Sequence, residues 1–240
     1  LLVEEPGTVI FASQVMDAKK LLVRSLIRLG RVREAEPILA SAMQAYDELA
    51  GKIGDLEGMA AVRRDMLLLQ IQIDTSTRQF PRVMQHIDAY LAHADHADDD
   101  WIGRDTMAKA ALQAARIAGD TPAWRDRFVA RVRSILAKTV SPAASIVDAD
   151  GVMVAVMRSN SLRTLVTAES EFGEAKDAAA IQREVIAGYR ASFDGRPTSR
   201  SRRRLVAAMQ LMVDLCQAAG DDAGQEAWQE QLEALPAARK

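Results

Sequence analysis

The 240-residue chain reads as an all-α protein of about five antiparallel helix pairs, and three observations carry that reading. Alanine supplies 42 residues against 13 glycines and 7 prolines. Alanine loses no side-chain entropy when a helix forms, and the scarce glycine and proline serve as spaced punctuation. Apolar residues recur at helical spacing along almost the whole chain, and no stretch alternates with the two-residue period of a strand. Turn signals then cut the periodic pattern into ten helices.

The first helix is expected from about Val9 to Leu29, its inward stripe being Phe11, Val15, Ala18, Leu22, Leu26 and Leu29. Gly30 ends it, as glycine does where the chain must turn left-handed. The second runs from Val32 to about Leu49 on Ala35, Leu39, Ala42, Tyr46 and Leu49. The third, from about Gly58 to Thr75, carries Val62, Met66, Leu69 and Ile73. The fourth begins near Phe80 with Pro81 in its first turn, where a missing N–H costs little, and continues through Val83 and Ile87. The fifth runs from about Ile102 to Ala118, and the sixth enters at Pro122 with Trp124, Phe128, Val132 and Ile135 inward. The seventh spans Val152 to Phe172, the eighth Ala175 to Phe193, the ninth Arg202 to Ala219 and the tenth Gly224 to Leu235.

These helices give a lead-in over 1–8, three hairpins over 9–138, a connector over 139–151, two hairpins over 152–235 and a tail over 236–240. One continuous array is expected. The turn after Ala118 (Arg116-Ile117-Ala118-Gly119-Asp120) matches the turn after Ala219 (Gln217-Ala218-Ala219-Gly220-Asp221). Turn residues 30, 78, 119, 173 and 220 are separated by 48, 41, 54 and 47 residues, a period that suits a solenoid of long hairpin repeats. The chain opens on Leu1 rather than Met, which reads as a segment of a longer protein.

The stretch Leu26-Ile27-Arg28-Leu29-Gly30-Arg31-Val32-Arg33-Glu34-Ala35, continuing to Leu39 and Ala42, resembles the turn of a tetratricopeptide repeat. Its small residues allow close approach of paired helices and its bulky one fills the groove between them. The match is partial at Gly119 and in the fifth hairpin. It is poor at Arg78, where glycine is missing and Gln70 and Asp74 stand at apolar positions, and Val23 replaces a small residue. The resemblance implies a right-handed α-α superhelix and a role in binding protein or peptide. A helical bundle without repeats fits the same periodicity.

Composition narrows the function. Acidic and basic residues nearly balance, at a net charge of −2, and no recognition motif accompanies the basic clusters, which weighs against nucleic acid. No apolar run approaches the ~18 residues of a membrane span. The lone cysteine, Cys216, excludes an internal disulfide, suits a reducing cytoplasm and falls on the apolar stripe of the ninth helix. Arginine outnumbers lysine 24 to 7 and Asn160 is the sole asparagine, a bias of GC-rich bacterial genomes. There is no phosphate-cradling glycine loop, His-Glu-x-x-His pair or Gly-x-Ser-x-Gly elbow, so no catalytic residue is assigned.

Candidate binding residues come from charge. Lys20, Arg24 and Arg28 recur at one-turn intervals on the first helix, and Asp17 and Glu34 lie only at the edges of that row. Three such cations repel one another, which an acidic segment of a partner, or of the rest of the chain, would relieve. If the hairpins stack as the resemblance implies, the same register places Lys109, Gln113 and Arg116 on the fifth helix, and Asn160 and Arg163 on the seventh, along one concave face. A second basic patch comprises Arg196, Arg200, Arg202, Arg203 and Arg204, set at a helix N-terminus where cations are disfavoured. His93, His96 and Asp100 have a spacing that permits a metal, but a hydrophilic helix end explains them equally, and neither metal nor cofactor is assigned.

The reading that unites these features is a non-catalytic scaffold or sensor module of a larger, cytoplasmic bacterial regulator. A structural or oligomerisation segment without a groove, and an all-α enzyme with an unrecognised site, remain alternatives.

Overall fold

Helical periodicity is realised throughout. The computed structural model describes residues 6–53, 59–94, 101–140 and 151–236, and among these there are ten helices and no strand. They are α1 (Pro6–Arg28), α2 (Val32–Ile53), α3 (Met59–Ser76), α4 (Phe80–Ala94), α5 (Trp101–Ile117), α6 (Pro122–Val140), α7 (Gly151–Phe172), α8 (Ala175–Gly195), α9 (Ser199–Ala219) and α10 (Asp222–Glu233). The ends agree with the periodicity to within three residues, except that α2 runs four residues further. Most of the expected connector over 139–151 lies outside the described residues, as do the side chains of His93, His96 and Asp100.

The chain divides into two compact units. One comprises residues up to Gly103 with Gln113–Phe128, and the other Arg104–Leu112 with Val129 onward. In the first, α1 packs on α2, α2 on α3 and α3 on α4. The alanines expected to permit that approach, Ala35 and Ala42, are wholly buried beside Leu39, Met66 and Ile73. In the second, α7 packs on α8, α8 on α9 and α9 on α10, around Val185, Tyr189, Leu205, Met209 and Met212. Cys216 is buried in this second core, and that burial pushes its thiol pKa up.

The first helix corrects the expected stripe. Met16, Lys20, Val23 and Leu26 face inward, whereas Leu22 is 49% exposed, Leu29 69%, and Val15 and Ala18 are also exposed. The helix is thus rotated by about one residue, roughly 100°, from the face chosen on apolar spacing alone. Val23, the departure from the repeat pattern, is a wholly buried core residue.

The turn at Arg78 also differs from its sequence appearance. Arg78 itself takes a left-handed φ of 58°, matching Gly30 at 73° and Gly220 at 70°. All three turns close with the same pair of bonds. Arg31 N–H reaches Leu26 O at 2.9 Å, Gln79 N–H reaches Asp74 O at 2.8 Å and Asp221 N–H reaches Cys216 O at 2.9 Å, each beside a shorter loop onto the next carbonyls. Arg78 Nη1 then donates to Asp120 Oδ2 at 2.7 Å, which holds the Asp120 carboxyl below its usual range. By contrast Gly119, paired by sequence with Gly220, is not left-handed. One extra residue separates it from the next helix, and that residue, Thr121, precedes Pro122, whose ring restricts the backbone before it.

Gln70 and Asp74, the polar residues at apolar positions, are both buried. Gln70 Nε2 donates to Asp74 Oδ1 at 3.0 Å, and His86 Nδ1 lies 2.8 Å from Asp74 Oδ2. A carboxylate only accepts, so the ring nitrogen is the donor. Arg82 Nε stands 3.6 Å from the same carboxylate. Together α3 and α4 satisfy a carboxylate that has no access to water. Replacing His86 with leucine therefore leaves Asp74 Oδ2 short of a donor, and an expected loss of about 1–3 kcal/mol should appear in urea unfolding. Adding Asp74→Leu and Gln70→Leu should recover part of that loss, because the three polar partners are then removed together.

Candidate functional site

The site begins with the start of α9. Thr198 Oγ1 accepts from Ser201 N–H at 3.1 Å, and Ser201 Oγ accepts from Thr198 N–H at 3.0 Å, a reciprocal capping box. This box starts the helix at Ser199, three residues earlier than its apolar pattern indicates, and brings Arg200 into helical register. Arg200, Arg203, Arg204, Ala207 and Leu211 then share one face. The opposite face, Leu205, Met209 and Met212, is buried in the second core and holds the helix in place.

Arg163 of α7 and Gln182 and Tyr189 of α8 complete a pocket of about 350 Å³ against that face. Four guanidinium groups therefore line one pocket, and no lysine or carboxylate is among its lining residues. None of the four has an acidic partner among the described residues. Two other arginines of the same unit are paired. Arg133 meets Glu169 through two bonds of 2.6 Å, which raises the guanidinium pKa, and Arg158 meets Glu184 at 3.1 Å. Gln182 is wholly buried; its Nε2 donates to Ala208 O at 2.6 Å, and its Oε1 has no partner.

The row on α1 has a different fate. Lys20 is buried, with Nζ 2.9 Å from Asp17 and 3.3 Å from Asp65 of α3, and Arg24 lies 3.4 Å from Asp65. The expectation that nothing compensates this row is thus corrected: Asp17 from the same helix and Asp65 from the next hairpin do so. Arg28 is exposed at the helix end. Lys109 pairs with Asp105 one turn earlier, while Gln113 and Arg116 are exposed on α5. Asn160 accepts from Tyr189 Oη at 2.7 Å, positioning the pocket's aromatic wall rather than facing solvent alone. Of the C-terminal basic patch, Arg202 turns away to donate to Pro236 O at 2.9 Å, and Arg196, exposed in the α8–α9 turn, is not a lining residue.

A larger pocket of about 730 Å³ lies between the α1–α2 and α3–α4 turns, and two of its three arginines pair with acids of its own lining. Arg31 pairs with Glu34 at 2.6 Å and Arg82 with Glu36 at 3.5 Å. Sequence reasoning found Arg163 and the α9 arginines as two separate sets, and missed Gln182, Tyr189, Ala207 and Leu211. A polar Gln182 within the apolar stripe of α8 was the available signal. Among the described residues no cluster of side chains suits a metal ion, and no helix is long and apolar enough to cross a membrane.

No protein-family model and no curated protein sequence matches the chain. Among solved structures, the crystal structure of BtubC (BKLC) from P. vanneervenii is similar, with a TM-score of 0.56 at 12% sequence identity over 97% of this chain and 94% of that one. At that identity the likeness concerns the fold alone: an all-α protein of helical hairpins.

Proposed function

We propose that this protein is a non-catalytic, tetratricopeptide-like binding module that holds an acidic segment of a partner protein in the α7–α8–α9 pocket. The observation that carries the reading is the convergence of Arg163, Arg200, Arg203 and Arg204 without an acid among the described residues to balance them. Like charges at helical i,i+3 and i,i+4 spacing repel, and their place near the positive end of the α9 dipole adds to the cost. A bound carboxylate relieves both through charge-assisted bonds to planar guanidinium forks. The buried Gln182 Oε1 lacks a donor, and a peptide main chain carries N–H groups as well as acidic side chains. The lone buried thiol supports a cytoplasmic setting, and the arginine-rich composition supports a bacterial regulator.

Fluorescence anisotropy with labelled Asp/Glu-rich and neutral peptides tests this. The acidic peptides are expected to bind at low ionic strength and to weaken steadily as salt screens the contacts, while neutral peptides stay free. Equal affinity for both, or no binding of the acidic set, contradicts the reading.

One observation favours a second reading, an oligomerisation segment. Val15, Leu22 and Leu29, seven residues apart, form an exposed apolar row on α1. Native mass spectrometry decides it: a stable dimer that dissociates on Leu22→Lys with Leu29→Lys supports the second reading, and a monomer removes it.

A further inference from the structure

We propose that the pocket's acidic ligand is a phosphorylated side chain, with an apolar residue about three positions away in an extended peptide. This rests on the reading of the pocket as a site for an acidic segment. Four guanidinium groups without an internal acid exceed what one carboxylate balances, whereas a phosphate monoester carries about −1.5 to −2 at pH 7 and three strong acceptor oxygens. The pocket's cationic residues are all arginine, whose planar fork matches phosphate in a bidentate way that lysine does not.

Part of the helix start is already engaged, with Ser201 N–H bonded to Thr198 Oγ1 and Arg202 N–H to Thr198 O, so the arginine side chains are the main anion-binding groups. The pocket is also two-ended. Arginines occupy the start of the α9 face, and Ala207 and Leu211 continue it. From Arg204 to Leu211 the helix advances by roughly 10 Å, at about 1.5 Å per residue. An extended peptide covers that distance in about three residues. Gln182 is a second, independent sign of a ligand: it lines the pocket, is fully buried, and its Oε1 has no donor. A peptide N–H passing along this wall is the kind of group it lacks.

The test uses the 240-residue chain and three labelled peptides, Ala-Leu-Ala-Ala-X-Ala-Ala-Leu-Ala, with X as phosphoserine, glutamate or serine. Leucine at three positions on either side makes the probe independent of peptide direction. Anisotropy is expected to rank phosphoserine at least tenfold tighter than glutamate, with serine unbound and inorganic phosphate competing. Arg203→Lys with Arg204→Lys should reduce the preference for phosphoserine over glutamate by several fold, with helix content unchanged by circular dichroism. If glutamate binds as tightly as phosphoserine, the phosphate inference is overturned and the acidic-segment reading stands. Binding to vesicles containing a phosphoinositide, with neither charged peptide bound, would overturn both and assign the pocket to a lipid headgroup. If neither the peptides nor the vesicles bind, both readings fail.

Discussion

Replacing Arg203 and Arg204 together by glutamate is expected to weaken binding of an acidic peptide by more than about 100-fold. A hydrogen bond to a charged group contributes about 1.5–3 kcal/mol, which corresponds to roughly a tenfold to hundredfold change for each guanidinium lost. Reversal also places two carboxylates where the peptide's own acids must sit. The fold should tolerate the change. Arg203 is exposed, Arg204 is partly so, and Leu205 and Met209 beneath them are untouched. Glutamate near a helix N-terminus is favourable, so the helix is expected to be as stable or slightly more so. The matching control is Arg24→Glu with Arg28→Glu on α1, which should leave binding within about twofold, because Arg24 is already paired with Asp65 and neither residue lines the pocket. Anisotropy and circular dichroism on the two double variants measure both outcomes.

Truncating Phe128 to alanine is expected to cost about 3–5 kcal/mol. Phe128 is wholly buried and makes an edge-on contact with Phe80 at 5.7 Å between ring centres. Trp124 lies 6.0 Å from both rings, so one substitution removes two of the three ring contacts and leaves a cavity between α4 and α6. Edge-to-face pairs add about 0.5–1.5 kcal/mol each beyond the area they bury, which places this site among the costliest single truncations. Urea unfolding followed by tryptophan fluorescence reads the change, since Trp124 reports on the same cluster. A loss below about 1 kcal/mol would mean that the three rings do not form a packed unit.

The ten helices were legible because an apolar face must recur every three or four residues, whatever lies opposite it. What sits opposite was far less so. Position 20 is a core position in α1, yet lysine disguised it, because one of the two acids that neutralise it, Asp65, is 45 residues away in sequence. Asp74 and Gln70 looked like failures of the repeat for the same reason: the donor His86 belongs to the next helix. The start of α9 escaped because its capping box uses Ser201 where glutamate or glutamine is the usual signal. Arg78 hid a left-handed turn that glycine would have announced.

The candidate site was legible only in fragments. Charge clustering singled out Arg200, Arg203 and Arg204, and helical register singled out Arg163. Their meeting in one pocket depends on how α7, α8 and α9 pack, which periodicity does not specify. Equally, apart from Asp17 three residues before Lys20, nothing local in the sequence separates the partnered cations of α1 from the unpartnered ones of α9. That distinction comes from contacts over long sequence separations, and it reverses the order of the two basic sets as binding candidates.

The most direct measurement is an NMR titration that follows the arginine side-chain Nε–Hε resonances as an acidic peptide is added. The account predicts that Arg163, Arg200, Arg203 and Arg204 shift together along one saturating curve while Arg24 and Arg28 stay in place. Shifts confined to Arg24 and Arg28, or spread evenly over exposed arginines without saturation, would contradict it.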